Sequence, residues 1–327
     1  MFGLLKSRLY SIGVDAECDN IRLAQLADNG KGIKLIAGRN RNRPDDIKPS
    51  SSSWQRWAAQ TIRLFTANGD FHGKDVIAAI PASDVFIDHI RVSKTNDNET
   101  KLDDIAFSKI KQKLPFKPVK DNVMIKCIRT EDDNVLVIAA ERKIIDRHLA
   151  IYEKANLHIK TIAVWPLALI NCYTTFFGRR KSDIEAVVML VSIETNCTNV
   201  VICRYKNILF ARSISIGAKQ LDDDKVVTRL VLELTAGRRQ FSSMHRNAQI
   251  ERLIFLTGHA VDRTTCAAIA KQLEMPAQSG DCLAAVQISN PYRLGIDRRS
   301  ASYDFDEVAA RQKQQVNWAT AFGLSLS

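Results

Sequence analysis

The sequence predicts an α/β protein in which one domain occurs twice, with a cleft between the copies. Three observations carry this. Val187 to Gly217 reads strand, turn, strand, turn, strand: VVMLVSI is an apolar run, Thr195, Asn196 and Cys197 break it, Val200 to Arg204 resumes, and Lys206 and Asn207 break again before Ile208 to Ile216. The same grammar occurs near the start, where Ile12 to Asp15 precedes Glu17, Cys18, Asp19 and Asn20, then Ile21 to Leu26, a polar turn at Asn29 to Gly32, and Ile33 to Ala37. Placing Asp15 on Ser192 aligns Glu17 with Glu194 and Leu23 with Val200 without a gap. The chain has 327 residues, enough for two cores.

Taken in order, Arg39 to Ser53 reads as a polar link, with Pro44, Pro49 and four consecutive serines at its end. Trp54 to Ala67 has helical spacing, with Trp54, Trp57, Ala58, Ile62 and Phe65 on one side. Val76 to Pro81 is a buried-type strand and Val85 to Val92 an edge or half-buried one. Leu102 to Leu114 is an amphipathic helix that Pro115 stops. Val123 to Thr130 and Asn134 to Ala140 form a hairpin across Glu131, Asp132 and Asp133, and Arg142 to Ala155 returns as a helix. Ile159 to Val164 is a strand. Pro166 suits the first turn of the next helix, which runs to Phe177.

Gly178 to Asp183 is a basic, polar joint and places the domain boundary, giving a first domain at 1–182 and a second at 183–327. Beyond the second set of hairpins, Leu221 to Arg246 is a long helical region with a break expected near Thr235 to Gly237. Arg252 to Thr257 is a strand ending in Gly258, and Val261 to Leu273 a helix. Pro276 opens an irregular stretch, Ala284 to Ile288 precedes Asn290 and Pro291, and Arg298 to Asp306 is polar and loose. Val308 to Leu326 closes as a helix with small residues at Ala319, Ala321 and Gly323.

With 46% apolar and 25% charged residues the composition is that of an ordinary globular protein. No apolar run reaches the roughly 20 residues of a membrane helix. Met1 to Tyr10 lacks the apolar core of an export signal, so a cytoplasmic chain is expected, with membrane association only through a partner. Seven cysteines without a CxxC pair argue against a disulfide framework, and six scattered histidines without HExxH argue against a metal. The net charge of +11 raises the question of nucleic acid. Its basic groups, Arg39, Arg41 and Arg43, then Arg179, Arg180 and Lys181, then Arg238 and Arg239, then Arg298 and Arg299, are short and interrupted by acids. Solvated surface with affinity for acidic or anionic-membrane neighbours is the better reading.

Several of these stretches together resemble the PilM family of type IV pilus assembly proteins, relatives of FtsA and the sugar kinases in the actin-like ATPase (ribonuclease H-like) fold. SIGVDAECDNIRLAQL is similar to that family's first phosphate-loop pattern, and VIAAIPASDVFIDHIRV with KLPFKPVKDNVMIKCI to its extra subdomain. LTAGRRQFSSMH is similar to its arginine-containing helix, and IERLIFLTGHA to its adenosine loop. The resemblance covers nearly the whole chain. It implies duplicated actin-like domains, the first carrying a small inserted α+β subdomain at approximately 83–142, and a nucleotide cleft formed by Asp15, Glu17, Cys18, Asp19 and Asn20 on one side, Ser192, Glu194, Thr195 and Asn196 on the other, and Gly258 and His259 at the third loop.

The departures from the family pattern matter as much. A phosphate hairpin needs a glycine at its tip so that backbone N–H groups can approach phosphate oxygens, and an aspartate before it to hold Mg²⁺ or its waters. The first hairpin keeps Asp15 but has Glu17 for the glycine; the second has Ser192 for the aspartate and Glu194 for the glycine. Two acids facing a triphosphate predict a degenerate site that disfavours Mg²⁺-ATP, so no cofactor is expected and catalysis is not. Glu17, Asp19 and Glu194 could serve as base or metal ligands, but solvated turn residues are the simpler reading. Cys18, flanked by two acids, is no activated nucleophile. His259 could contact a ligand or fill a nonfunctional pocket.

The resemblance also implies a groove in the extra subdomain for the short cytoplasmic tail of a PilN-like inner-membrane protein. Phe107, Ile110 and Phe116 are candidate contacts with Lys113 at the rim, although the helical spacing of Phe107 and Ile110 suits the core equally. A scaffold of a pilus or type II-like secretion assembly is the expected function, with other assembly proteins and self-association as further contacts. A working ATPase with atypical loops is the alternative; a sugar kinase and a nucleic-acid binder are less supported.

Overall fold

The computed structural model describes residues 8–67, 69–93, 99–258, 260–288, 294–295 and 316–327. The predicted features at His259, Asn290 and Pro291, Arg298 to Asp306 and the first part of the Val308 to Leu326 helix lie outside them.

The first sheet is built on β1 (Arg8–Ala16), β2 (Asn20–Asp28) and β3 (Ile33–Asn42), joined antiparallel, with β4 (Asp75–Ala79) and β8 (His158–Ala163) added parallel beyond β1. Strand β2 is buried on both faces because each face meets a different apolar layer. Ile21 and Leu23 enter the cluster of α1 (Ser52–Ala67) and α3 (Arg142–Lys154), whereas Ala24 and Leu26 enter the central one.

The second sheet repeats the plan with β9 (Val187–Ile193), β10 (Thr198–Arg204) and β11 (Asn207–Ile214) antiparallel, and β12 (Arg252–Phe255) and β13 (Ala277–Ser279) parallel beyond β9. Residues of β9 alternate strictly: Val188 and Leu190 face the central cluster, while Val187, Met189, Val191 and Ile193 face α6 (Asp224–Met244) and α7 (Arg263–Gln272).

The central cluster lies between the sheets and is filled by α4 (Trp165–Phe176) and the terminal helix α8 (Ala319–Ser325). Gly13 and Gly323 make this layer possible. A Cβ on Gly13 would stand 2.1 Å from the Ala321 carbonyl oxygen, and one on Gly323 would stand 1.8 Å from that of Ala168. The chain thus returns at its end to its beginning: α8 packs on β1 and β2, and the short strands β14 (Gln287–Ile288) and β15 (Leu294–Gly295) pair with β3.

The inserted subdomain is a three-stranded antiparallel sheet, β5 (Phe86–Arg91), β7 (Asn134–Glu141) and β6 (Val123–Arg129), with α2 (Glu99–Ile110) against one face. Asp132 and Asp133 take positive φ at the β6–β7 turn, where a short polar side chain tolerates the left-handed region. Val135, Val137 and Ala139 meet α2, and Leu136 and Ile138 meet the central cluster.

Four expectations are corrected. Helix α6 is continuous through Thr235 to Gly237, because the packing of Leu230, Leu234 and Phe241 on the second sheet outweighs the poor helix propensity of one glycine. Strand β3 runs on to Asn42 where a loose link was expected from Arg39; pairing with β2 and an Arg39–Asp70 ion pair order its polar end. Helix α2 ends at Ile110, short of Leu114. The joint before residue 183 contains a helical turn, α5 (Lys181–Glu185), tied down by an ion pair from Arg252 to the buried Asp183. Among the described residues no helix is long and apolar enough to cross a membrane.

Candidate functional site

The β1–β2 and β9–β10 hairpins point their tips at each other. Register places Arg22 opposite Asp15 in the first hairpin and Asn199 opposite Ser192 in the second. The first tip is held from behind: Arg43 donates to the Cys18 carbonyl at 3.0 Å and to the Asp19 carboxylate at 3.0 Å, and the Trp54 indole donates to Cys18 O at 3.1 Å. The second tip is closed by the Glu194 amide on Cys197 O at 2.8 Å. Between them, Asn20 Nδ2 donates to Thr195 Oγ1 at 3.4 Å.

Behind the tips the two hairpins are joined by a buried ionic network. Arg22 Nη2 lies 2.7 Å from Glu194 Oε2, a hydrogen bond, and 3.1 Å from Asp15 Oδ2, an ion pair without hydrogen-bond alignment. Arg22 Nη1 donates to the Asn317 carbonyl. The Asn317 amide donates in turn to Ser192 Oγ at 2.9 Å and Glu194 Oε1 at 2.8 Å, and its Oδ1 accepts from the Ala319 N–H at the start of α8. Ser192 Oγ donates to Glu194 Oε1 at 2.9 Å. Exposure is 2% for Arg22, 3% for Asp15 and 5% for Glu194.

Charges this deep are coupled. Burial pushes the Asp15 carboxyl up to about 6, with Arg22 opposing and Glu194 adding to the rise. Glu17 is driven well above the carboxylate range, first by burial and then by the fields of Asp15 and Glu194. Burial disfavours the Arg22 cation, yet Glu194 and Asp15 more than offset it and its pKa rises. Burial also raises the Cys18 thiol, with smaller contributions from Asp84 and Glu17, so Cys18 is a poor nucleophile. Ser192 is fully buried behind the cavity, which leaves its oxygen without an approach path for a substrate.

A cavity of about 480 Å³ opens in front of this network. Glu17, Cys18, Asp19 and Asn20 line it from the first hairpin, Glu194, Thr195 and Asn196 from the second, and Ser83, Phe86 and Arg212 from its walls. Seven of the predicted cleft residues therefore share one cavity, while Asp15 and Ser192 stand behind it. Gly258, at φ +56°, is not in its wall: Val316 O lies 3.3 Å from where a Cβ would be, so the segment before α8 packs over that loop.

Two participants, Arg22 and Asn317, were not anticipated. Arg22 had a readable signal, since a strand as apolar as IRLAQLA carries an arginine at the position the hairpin sets against Asp15. Asn317 had none, because it arrives from the far end of the chain. The reading of Glu194 as a solvated turn residue is corrected: it is buried because Arg22, Ser192 and Asn317 satisfy both carboxylate oxygens. Asp19 is likewise ion-paired, to Arg43.

In the subdomain, Ile110 is fully buried with Ala106, Val123 and Val135, so it serves the core and not a contact surface. Phe107 and Phe116 are half-buried at the edge of the same cluster, and Lys113 is exposed with its ammonium 2.7 Å from Asp88.

A profile of the type IV pilus assembly protein PilM matches residues 13–236. The chain belongs to the PilM family. Across its length the structure is similar to that of a PilM–PilN type IV pilus biogenesis complex, with a TM-score of 0.74 at 17% identity over 98% of each chain. It also resembles the ethanolamine utilization protein EutJ from Carboxydothermus hydrogenoformans, with a TM-score of 0.50 at 12% identity over 97% of this chain and 89% of that one. No curated protein sequence matches. The paired sheets with their facing hairpins are the duplicated actin-like fold.

Proposed function

We propose that this PilM-family chain is a cytoplasmic platform for assembling a type IV pilus or a type II-like secretion machine, docking the cytoplasmic tail of a PilN-like inner-membrane protein, with weak or absent binding and hydrolysis of Mg²⁺-ATP. The tail-docking half is supported by family membership and by the likeness to a PilM solved in complex with PilN. Phe107 and Phe116 remain its candidate contacts, with Lys113 at the rim. Further assembly proteins and other copies of the chain are additional contacts of such a platform, and the membrane is reached through the partner.

The nucleotide half rests on one observation: the phosphate-loop position holds an arginine already engaged by two carboxylates. A Mg²⁺-triphosphate does not fit the residues present. Its metal would need Asp15, which faces Arg22, and its phosphates would meet Glu17 and Glu194 where glycine amides are required. Displacing Arg22 to free Asp15 and Glu194 would leave two buried carboxylates without their partner, at a cost of about 3–5 kcal/mol. Isothermal titration of the purified chain with Mg²⁺-ATP tests this: no saturable heat is expected, and a micromolar Kd would overturn it.

A further inference from the structure

We infer that Arg22 is a built-in clasp, a single side chain that holds the two halves of the chain together across the cleft without any ligand. Its guanidinium touches three separately built parts of the molecule. These are Asp15 on its own hairpin at 3.1 Å, Glu194 on the opposite hairpin at 2.7 Å, and the backbone of Asn317 ahead of α8. Asn317 closes the ring by donating to Ser192 and Glu194, so the links of Arg22 to Glu194 and Asn317, and of Asn317 to the second hairpin, cross between elements far apart in sequence.

A planar guanidinium suits this role because its several donors can serve different acceptors at once, which a lysine ammonium on a flexible stem does less well. At 2% exposure the attraction is little screened by salt, and without the cation Asp15, Glu17 and Glu194 would face one another uncompensated. Here the two hairpins grip each other directly. The inference concerns the ligand-free chain, so Mg²⁺-ATP binding would sink the platform reading and leave the clasp to its own test.

Amide hydrogen exchange on the full chain without nucleotide provides that test, comparing the natural sequence with Arg22→Met and Glu194→Gln. Arg22→Met is expected to speed exchange at the two hairpin tips and at residues 317–319 about tenfold or more beyond any rise in β7, which reports the loss of overall stability. Glu194→Gln, which keeps the shape and removes the charge, should give a smaller rise at the same places. Tip exchange equal to that of the natural sequence in a folded Arg22→Met chain would overturn the clasp, and so would an even loss of protection that includes β7. If Arg22→Met does not fold, Glu194→Gln decides alone: unchanged tip exchange overturns the inference.

Discussion

Gly323 of α8 lies directly against Ala168 of α4, so that a Cβ at Gly323 would stand 1.8 Å from the Ala168 carbonyl oxygen. The obstruction is backbone and cannot swing aside. Gly323→Ala must therefore push two helices apart inside the central cluster. Overpacking costs about 1–3 kcal/mol and sometimes more, and this contact belongs at the upper end. Urea unfolding should show a lowered midpoint; an unchanged midpoint would mean that α8 does not sit as described.

Removing the buried cation is expected to be costlier than removing surface charge. Arg22→Ala should lower stability by about 3–5 kcal/mol, because two buried carboxylates lose their partner. Arg22→Lys should recover part of the loss. Denaturant unfolding of both variants measures it, and a loss below about 1 kcal/mol, the range of exposed pairs, would contradict the burial.

The subdomain separates core from surface. Ile110→Ala should cost about 2–5 kcal/mol of stability, as for a filled apolar site emptied. Phe116→Ala combined with Lys113→Glu should leave the unfolding midpoint nearly unmoved and reduce capture of a synthetic PilN-like tail peptide. Full capture by that variant would place the groove elsewhere.

His89 couples the subdomain to the second sheet. Its Nε2 accepts from the Ala211 N–H at 3.3 Å and its ring stacks on Phe210 at a centroid distance of 4.4 Å. Burial holds its pKa down to about 4 against an ordinary 6.5, with Asp88 opposing the shift and His245 adding to it. The unfolded chain thus takes up this proton at a higher pH than the folded one. Stability should be full above about pH 6.5 and fall as the pH drops toward 4. His89→Gln, which keeps an acceptor but does not titrate there, should flatten that slope, and an identical pH profile for the variant would rule out His89 as its source.

The paired hairpins were legible because period-two apolar runs and polar tips are properties of neighbouring residues. The gapless alignment of Asp15 on Ser192 then placed Glu17 and Glu194 at equivalent tips, and both line one cavity. The state of those residues was not legible. Glu194 in a polar turn reads as solvated until a cation from another strand is brought to it, and Asn317 meets Ser192 across 125 positions of sequence. Ile110 illustrates the same limit from the apolar side: helical spacing says that a face is covered, and only the fold says by what.

The position of α8 has a consequence for how the protein is made. Ser325 of α8 donates to the Ser11 carbonyl of β1 across 314 positions, so a ribosome that has made β1 has not yet made the helix that covers it. Until α8 has been synthesised, the apolar face of β1 and β2 that it covers is naked, and the earlier strands wait exposed to chaperones and to misassembly.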